Sequence, residues 1–107
     1  MTESAPKLAI DFDDTVRLRH VAWLAHRSLP YAFALSGSEP WPVCCVIRGP
    51  GTEQWTFGPP AAPSCIEGAA GEFCRVAVRR LAPEHTRLQA RGPHGAAALQ
   101  VLRTYAA

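Results

Sequence analysis

Lysine is nearly absent from this chain: Lys7 is the only one, and the net charge is just +2. With no Lys/Arg run and no aromatic–basic interleaving, the electrostatic footprint of a nucleic-acid binder is missing. No apolar stretch approaches the roughly 20 residues needed to cross a bilayer. No apolar signal core follows the polar start Met1-Thr2-Glu3-Ser4-Ala5-Pro6, so a cytoplasmic protein is expected. There is no Cys-x-x-Cys pair and no His at zinc-finger spacing, which excludes a structural zinc site of the usual kind. Cys44 and Cys45 are adjacent, so in a strand they face opposite sides and do not share a metal. Without a secretory signal the four cysteines are expected as buried, reduced thiols that pack as small hydrophobes. Neither metal nor cofactor is predicted.

What is present suits one domain of 107 residues. Residues 1–12 read as a flexible arm and 13–107 as a single α+β domain. A helix is predicted over residues 15–28, ending before Pro30, because the residue ahead of a proline resists helical dihedrals. Leu18, Val21, Ala22, Ala25 and Leu29 make its apolar stripe, while Val16, His20 and Trp23 fall on the opposite face. Tyr31, Phe33 and Leu35 alternate with Ala32 and Ala34 and predict a strand. Residues 43–48 are almost wholly apolar, as in a central strand. Gly49-Pro50-Gly51 then turns the chain back into a strand over 53–57. A short strand over 64–67 leads through Gly68 into a helix over 69–81 with Phe73, Cys74, Ala77 and Leu81 inward. A last strand over 86–90 and a terminal helix entered at Pro93 complete the chain. The elements do not alternate strictly, so an α+β layer of about three helices on a mainly antiparallel, five-stranded sheet is expected.

The motifs that could carry chemistry are few. Asp11, Asp13 and Thr15 follow an apolar run, and this resembles the opening of the haloacid-dehalogenase-like phosphatases, whose carboxylates attack phosphorus and hold Mg²⁺. That chemistry also needs a downstream lysine and a further acidic pair, and no acidic residue follows residue 90. Asp13, Asp14 and Thr15 are therefore read as a helix cap, with acidic groups at the positive end of the dipole. Glu72 is likewise read as a first-turn carboxylate. Trp55 and Phe57 share one strand face and suit either a cavity wall or plain core. His26 is the candidate proton-transfer residue, since a near-neutral imidazole can pass a proton; at a helix end it also suits a cap.

Several motifs together resemble a known group: Arg19-His20-Val21-Ala22, the Tyr31-to-Leu35 segment, Trp55-Thr56-Phe57-Gly58-Pro59, Gly68-Ala69 with Glu72-Phe73-Cys74, and Arg91-Gly92-Pro93. They are similar to the sterol-carrier-protein-2-like C-terminal domain of actinobacterial proteins related to mycothiol-dependent maleylpyruvate isomerase. High Ala, Arg and Pro usage agrees with such a genome. In those proteins a DinB-like helical bundle carries the metal, including a Glu-x-x-x-His helix that has no counterpart here. The resemblance implies an antiparallel sheet backed by helices around an apolar tunnel. It implies a small hydrophobic-metabolite-binding protein, with cofactor-free cyclisation or isomerisation in a biosynthetic pathway as the chemistry such a pocket allows. Trp23, Tyr31, Phe33, Trp55, Phe57 and Phe73 would bind the ligand and His26 would act on it. The alternative is an accessory subunit that docks to a separately encoded DinB-like bundle or pairs with a second copy through Val16, His20 and Trp23.

Overall fold

The computed structural model describes the backbone of residues 4–104 and the side chains from residue 15 onward. The element order is α1 (Ser4–Arg27), α2 (Leu29–Leu35), β1 (Val43–Arg48), β2 (Gln54–Phe57), β3 (Ser64–Ala69), α3 (Ala70–Ala77), a 3₁₀ turn (Pro83–His85), β4 (Gln89–Arg91) and α4 (Gly95–Val101). The α+β class holds. The five-stranded, mainly antiparallel sheet does not: the described residues form a four-stranded mixed sheet in the order β2-β1-β3-β4.

Two differences account for the change. First, the segment expected as the opening strand, Tyr31 to Leu35, is helical. Leu29, Ala32 and Phe33 are buried while Tyr31 and Leu35 are exposed, the i, i+3, i+4 pattern of a helix rather than the period of a strand. Pro30 lies in the first turn of α2, where its missing N–H has no intrahelical partner to lose. The proline thus ends α1 at Arg27 and starts a second helix. Between them the buried Ser28 hydroxyl donates to the Leu24 carbonyl at 2.7 Å. Second, β1 pairs antiparallel with β2 but parallel with β3, in the register Val43↔Ser64 through Arg48↔Ala69. The β2 hairpin has already returned the chain to the start of β1, so residues 58–63 need only step past that end to begin β3 alongside. No long crossover is required.

α1 also differs in extent. It begins at Ser4 rather than near residue 15, so the backbone of residues 4–12, expected as an arm, is helical, and Asp13, Asp14 and Thr15 fall inside the helix instead of capping it. Residues 1–3 and 105–107 lie outside the described residues, as do the side chains of Asp11, Asp13 and Asp14.

The core gathers on one face of the sheet. Ala22, Ala25 and Leu29 from the helical hairpin meet Phe73, Val76 and Ala77 of α3, Leu99 and Leu102 of the C-terminal segment, and Val43, Cys45, Ile47, Trp55, Phe57 and Ile66 of the strands. The small residues on α1 let it lie close against α3. α3 ends earlier than expected, at Ala77, in a Schellman arrangement: Arg79 adopts φ 67°, its N–H donates to the Val76 carbonyl at 3.0 Å, and the Arg80 N–H donates to the Arg75 carbonyl at 2.9 Å. α4 buries Ala98 and Leu99 as its spacing predicts.

Candidate functional site

The outward face of α1 is the most distinctive surface among the described residues. Val16 is 55% exposed and Trp23 40% exposed, both on the side of the helix turned away from Ala22, Ala25 and the core. The spacing i, i+4, i+7 puts Val16, His20 and Trp23 in one line. The Trp23 ring is held from two directions. His20 stacks on it with ring centroids 5.8 Å apart and planes 28° from parallel, and the Arg27 guanidinium lies 5.3 Å from its centroid. Cation–π and stacking contacts of this kind fix an exposed indole in place. Val16, Arg19, His20 and Trp23 line a shallow groove of about 500 Å³.

A second groove, about 430 Å³, runs between α1 and α3 and is lined by Leu18, Val21, Gly71, Cys74 and Val78, with Arg17 and Arg75 at its rim. At its floor the Cys74 thiol donates to the Leu18 carbonyl at 3.3 Å, tying α3 to α1. Burial pushes this thiol up to about 11, so it is protonated at neutral pH and inert as a nucleophile.

The third feature is the corner around His26. Its Nε2–H donates to the Val43 carbonyl at 3.0 Å, and the imidazole stacks on Phe57 at 6.1 Å. Burial lowers its pKa below 6.5, and the hydrogen bond to Val43 opposes the shift only in part. The ring is therefore neutral at pH 7, and Nε2 is committed to the backbone. Gly58 (φ 87°) makes this contact possible, because a Cβ there would lie 2.6 Å from both His26 Nε2 and the Val43 oxygen. A recess of about 160 Å³ opens beside His26, walled by Leu29, Pro30, Pro40, Trp41, Pro42 and Pro59.

The residues expected to form one apolar tunnel are not brought together as a cavity wall. Phe33, Trp55, Phe57 and Phe73 belong to the continuous packed core, Phe73 with no exposure at all, and none of the four lines the three grooves above. A ligand at these positions would have to displace core packing. Tyr31 is 40% exposed on α2 and Trp23 is on the outer face of α1, so these two point away from that core. His26 links α1 to the first residue of β1 as a tether. One pairing escaped the sequence reading altogether: Trp41 and His94 stack with centroids 4.0 Å apart and planes 3° from parallel. The His94 N–H is held by the Ser64 hydroxyl at 2.9 Å. Nothing local announces such a pair, because its two members lie more than fifty positions apart, one in the loop ahead of β1 and the other in the link after β4. Glu72, in the first turn of α3, accepts the Arg87 N–H at 3.1 Å and so fixes the loop ahead of β4.

No group of three or more potential metal ligands occurs among the described residues. No helix there is long and apolar enough to cross a membrane. No family model matches the chain, and no solved structure matches it. The chain is similar to an uncharacterised protein of Mycobacterium tuberculosis, found in strains CDC 1551 / Oshkosh and ATCC 25618 / H37Rv. The identity is 36% over 70 residues, which covers 64% of this chain and 27% of the relative. The match thus spans about a quarter of the length of the curated relatives.

Proposed function

We propose that this chain is an interaction module whose outer α1 face docks against a helical partner, the accessory-subunit alternative weighed from the sequence. The observation that carries the reading is the exposed Trp23, set between His20 and Arg27 above a groove that also holds Val16 and Arg19. Trp and Arg are the residue types that dominate binding energy at protein interfaces, and an indole ordered before binding loses little entropy on contact. A groove lined along one helix face suits a second helix laid against it. The partner chemistry is accordingly an amphipathic helix of a bundle, the DinB-like kind that the resemblance implies, in the same cytoplasmic compartment. The much greater length of the mycobacterial relatives supports this, since in them a segment of this type occurs alongside extensive further polypeptide.

The second reading is a hydrophobic metabolite held by this protein, and what supports it is the groove of Leu18, Val21, Cys74 and Val78 rather than the core aromatics. Its size falls in the range of about 300–1,000 Å³ usual for small-molecule sites. Cyclase or isomerase chemistry there would have to rely on positioning, because Cys74 is protonated and His26 lies in a different recess.

Native mass spectrometry of the protein purified gently from its source separates the two. The docking reading expects a complex with a second polypeptide whose dissociation constant rises at least about tenfold in Trp23→Ala, the scale of an interface hot spot. A monomer that carries a small molecule, unchanged in Trp23→Ala, overturns it.

A further inference from the structure

The parallel register of β1 and β3 makes Cys44 and Cys65 direct neighbours. Adjacent strands lie about 4.7–4.9 Å apart, within the Cα separation of about 4.4–6.8 Å that a disulfide spans. Register partners share a sheet face, so both thiols lie on the side opposite Cys45 and Ile66, which belong to the core. The Cys65 thiol donates only a long bond, 3.8 Å, to the Ile66 carbonyl, which leaves it free to turn to its neighbour across the strand pair. Cys44 is 3% exposed and Cys65 is half-buried, which leaves Cys65 as the member a small solute reaches first. The other two cysteines are placed differently: Cys45 is sealed in the core, and Cys74 is hydrogen-bonded beneath α1.

We propose that Cys44 and Cys65 form an oxidisable dithiol that closes into a disulfide within the chain on meeting hydrogen peroxide. The Cys65 sulfur attacks one peroxide oxygen, the O–O bond breaks, and Cys65 becomes a sulfenic acid as the first water leaves. The Cys44 sulfur, giving up its proton, then attacks the Cys65 sulfur. The S–O bond breaks, and the departing hydroxide takes that proton to leave as the second water. Two thiols lose two electrons, and one peroxide gains them. The product joins the two central strands of the sheet covalently. Burial, and next the neighbouring Cys65 thiol, push the Cys44 pKa upward, which keeps Cys44 a thiol until its partner is activated.

The test is a thiol count by alkylation and intact mass under denaturing conditions, before and after treatment with stoichiometric hydrogen peroxide. The reduced chain carries four alkylatable thiols. The expected result is a loss of two per chain without any covalent dimer, retained in Cys45→Ala and Cys74→Ala and abolished in both Cys44→Ser and Cys65→Ser. Cys65 is partly open, so its serine variant remains informative should Cys44→Ser fail to fold. Four surviving thiols in the treated wild-type protein would overturn the proposal. So would a two-thiol loss that persists in Cys65→Ser, or oxidation that links separate chains.

Discussion

Gly58 and His26 act as a pair. The glycine's left-handed backbone lets the chain leave β2 directly over the imidazole, and the imidazole in turn bonds the carbonyl that begins β1. Gly58→Ala should lose about 1–3 kcal/mol of unfolding free energy, from backbone strain and from the clash that displaces His26; a urea melt reads it directly. The lowered His26 pKa has a definite sign. The unfolded chain takes up a proton near pH 6.5, whereas the folded chain resists it until lower pH, so the folded state binds fewer protons in that window. Stability is thus complete above pH 6.5 and falls as the pH drops below it. A glutamine at this position can still donate to the Val43 carbonyl but does not titrate. Melting temperatures of wild type and His26→Gln, compared between pH 7.5 and 5, should diverge only on the acid side. Parallel curves would show that His26 contributes nothing to the slope. At this scale the sequence was informative about residue type and silent about task. The imidazole at the helix end was visible, but its bond reaches a strand 17 positions away, which no local pattern encodes.

At the scale of elements, the clearest lesson lies in α2. Tyr31, Ala32, Phe33, Ala34 and Leu35 alternate large and small, which satisfies a two-residue period. Leu29, Ala32 and Phe33 also satisfy a helical one. Seven residues are too few for periodicity to decide. Tertiary burial of Leu29 and Phe33 together, with Pro30 suited to a first turn, settles it for the helix. By contrast β1, β2 and the stripe of α3 were legible, because long apolar runs, a Gly-Pro-Gly turn and four buried positions at helical spacing agree with one another. The parallel pairing of β1 with β3, and with it the Cys44–Cys65 contact, was not legible, since register between strands depends on how the intervening link is routed. α3 offers its own test. Arg79 occupies a left-handed position that glycine adopts without penalty. Arg79→Gly is expected to raise stability by up to about 1 kcal/mol, measured by denaturant titration, with the helix end otherwise unchanged. A loss of stability would mean that the arginine side chain matters more than its dihedral.

For the whole molecule, the dimensions of 52 × 27 × 22 Å reflect a 24-residue helix, about 36 Å long, set against a small sheet. Among the described residues, α3 and β2 cover one side of this helix, and Val16 and Trp23 stand exposed on the other. Because Trp23 packs on that face and not in the core, Trp23→Ala should keep the unfolding free energy within about 0.5 kcal/mol of wild type even as it weakens association. A large drop in stability would place Trp23 among the structural residues and remove the basis for docking. The sequence showed an off-stripe tryptophan but could not show that its ring is pinned by His20 and Arg27. It also could not separate cavity from core for Trp55 and Phe57, since either fate demands the same apolar face.

The placement of β1 between a hairpin partner and a parallel neighbour carries a consequence for how the protein assembles. All three strands come from one uninterrupted stretch, residues 43–69, so the heart of the sheet needs only contacts close in sequence. Such pairings close small loops, whereas the packing of α1 on α3 joins residues as far apart as Leu18 and Cys74, 56 positions along the chain. The expected order of events is then centre outward: a three-stranded nucleus first, with the docking of the long helix on α3 among the last steps.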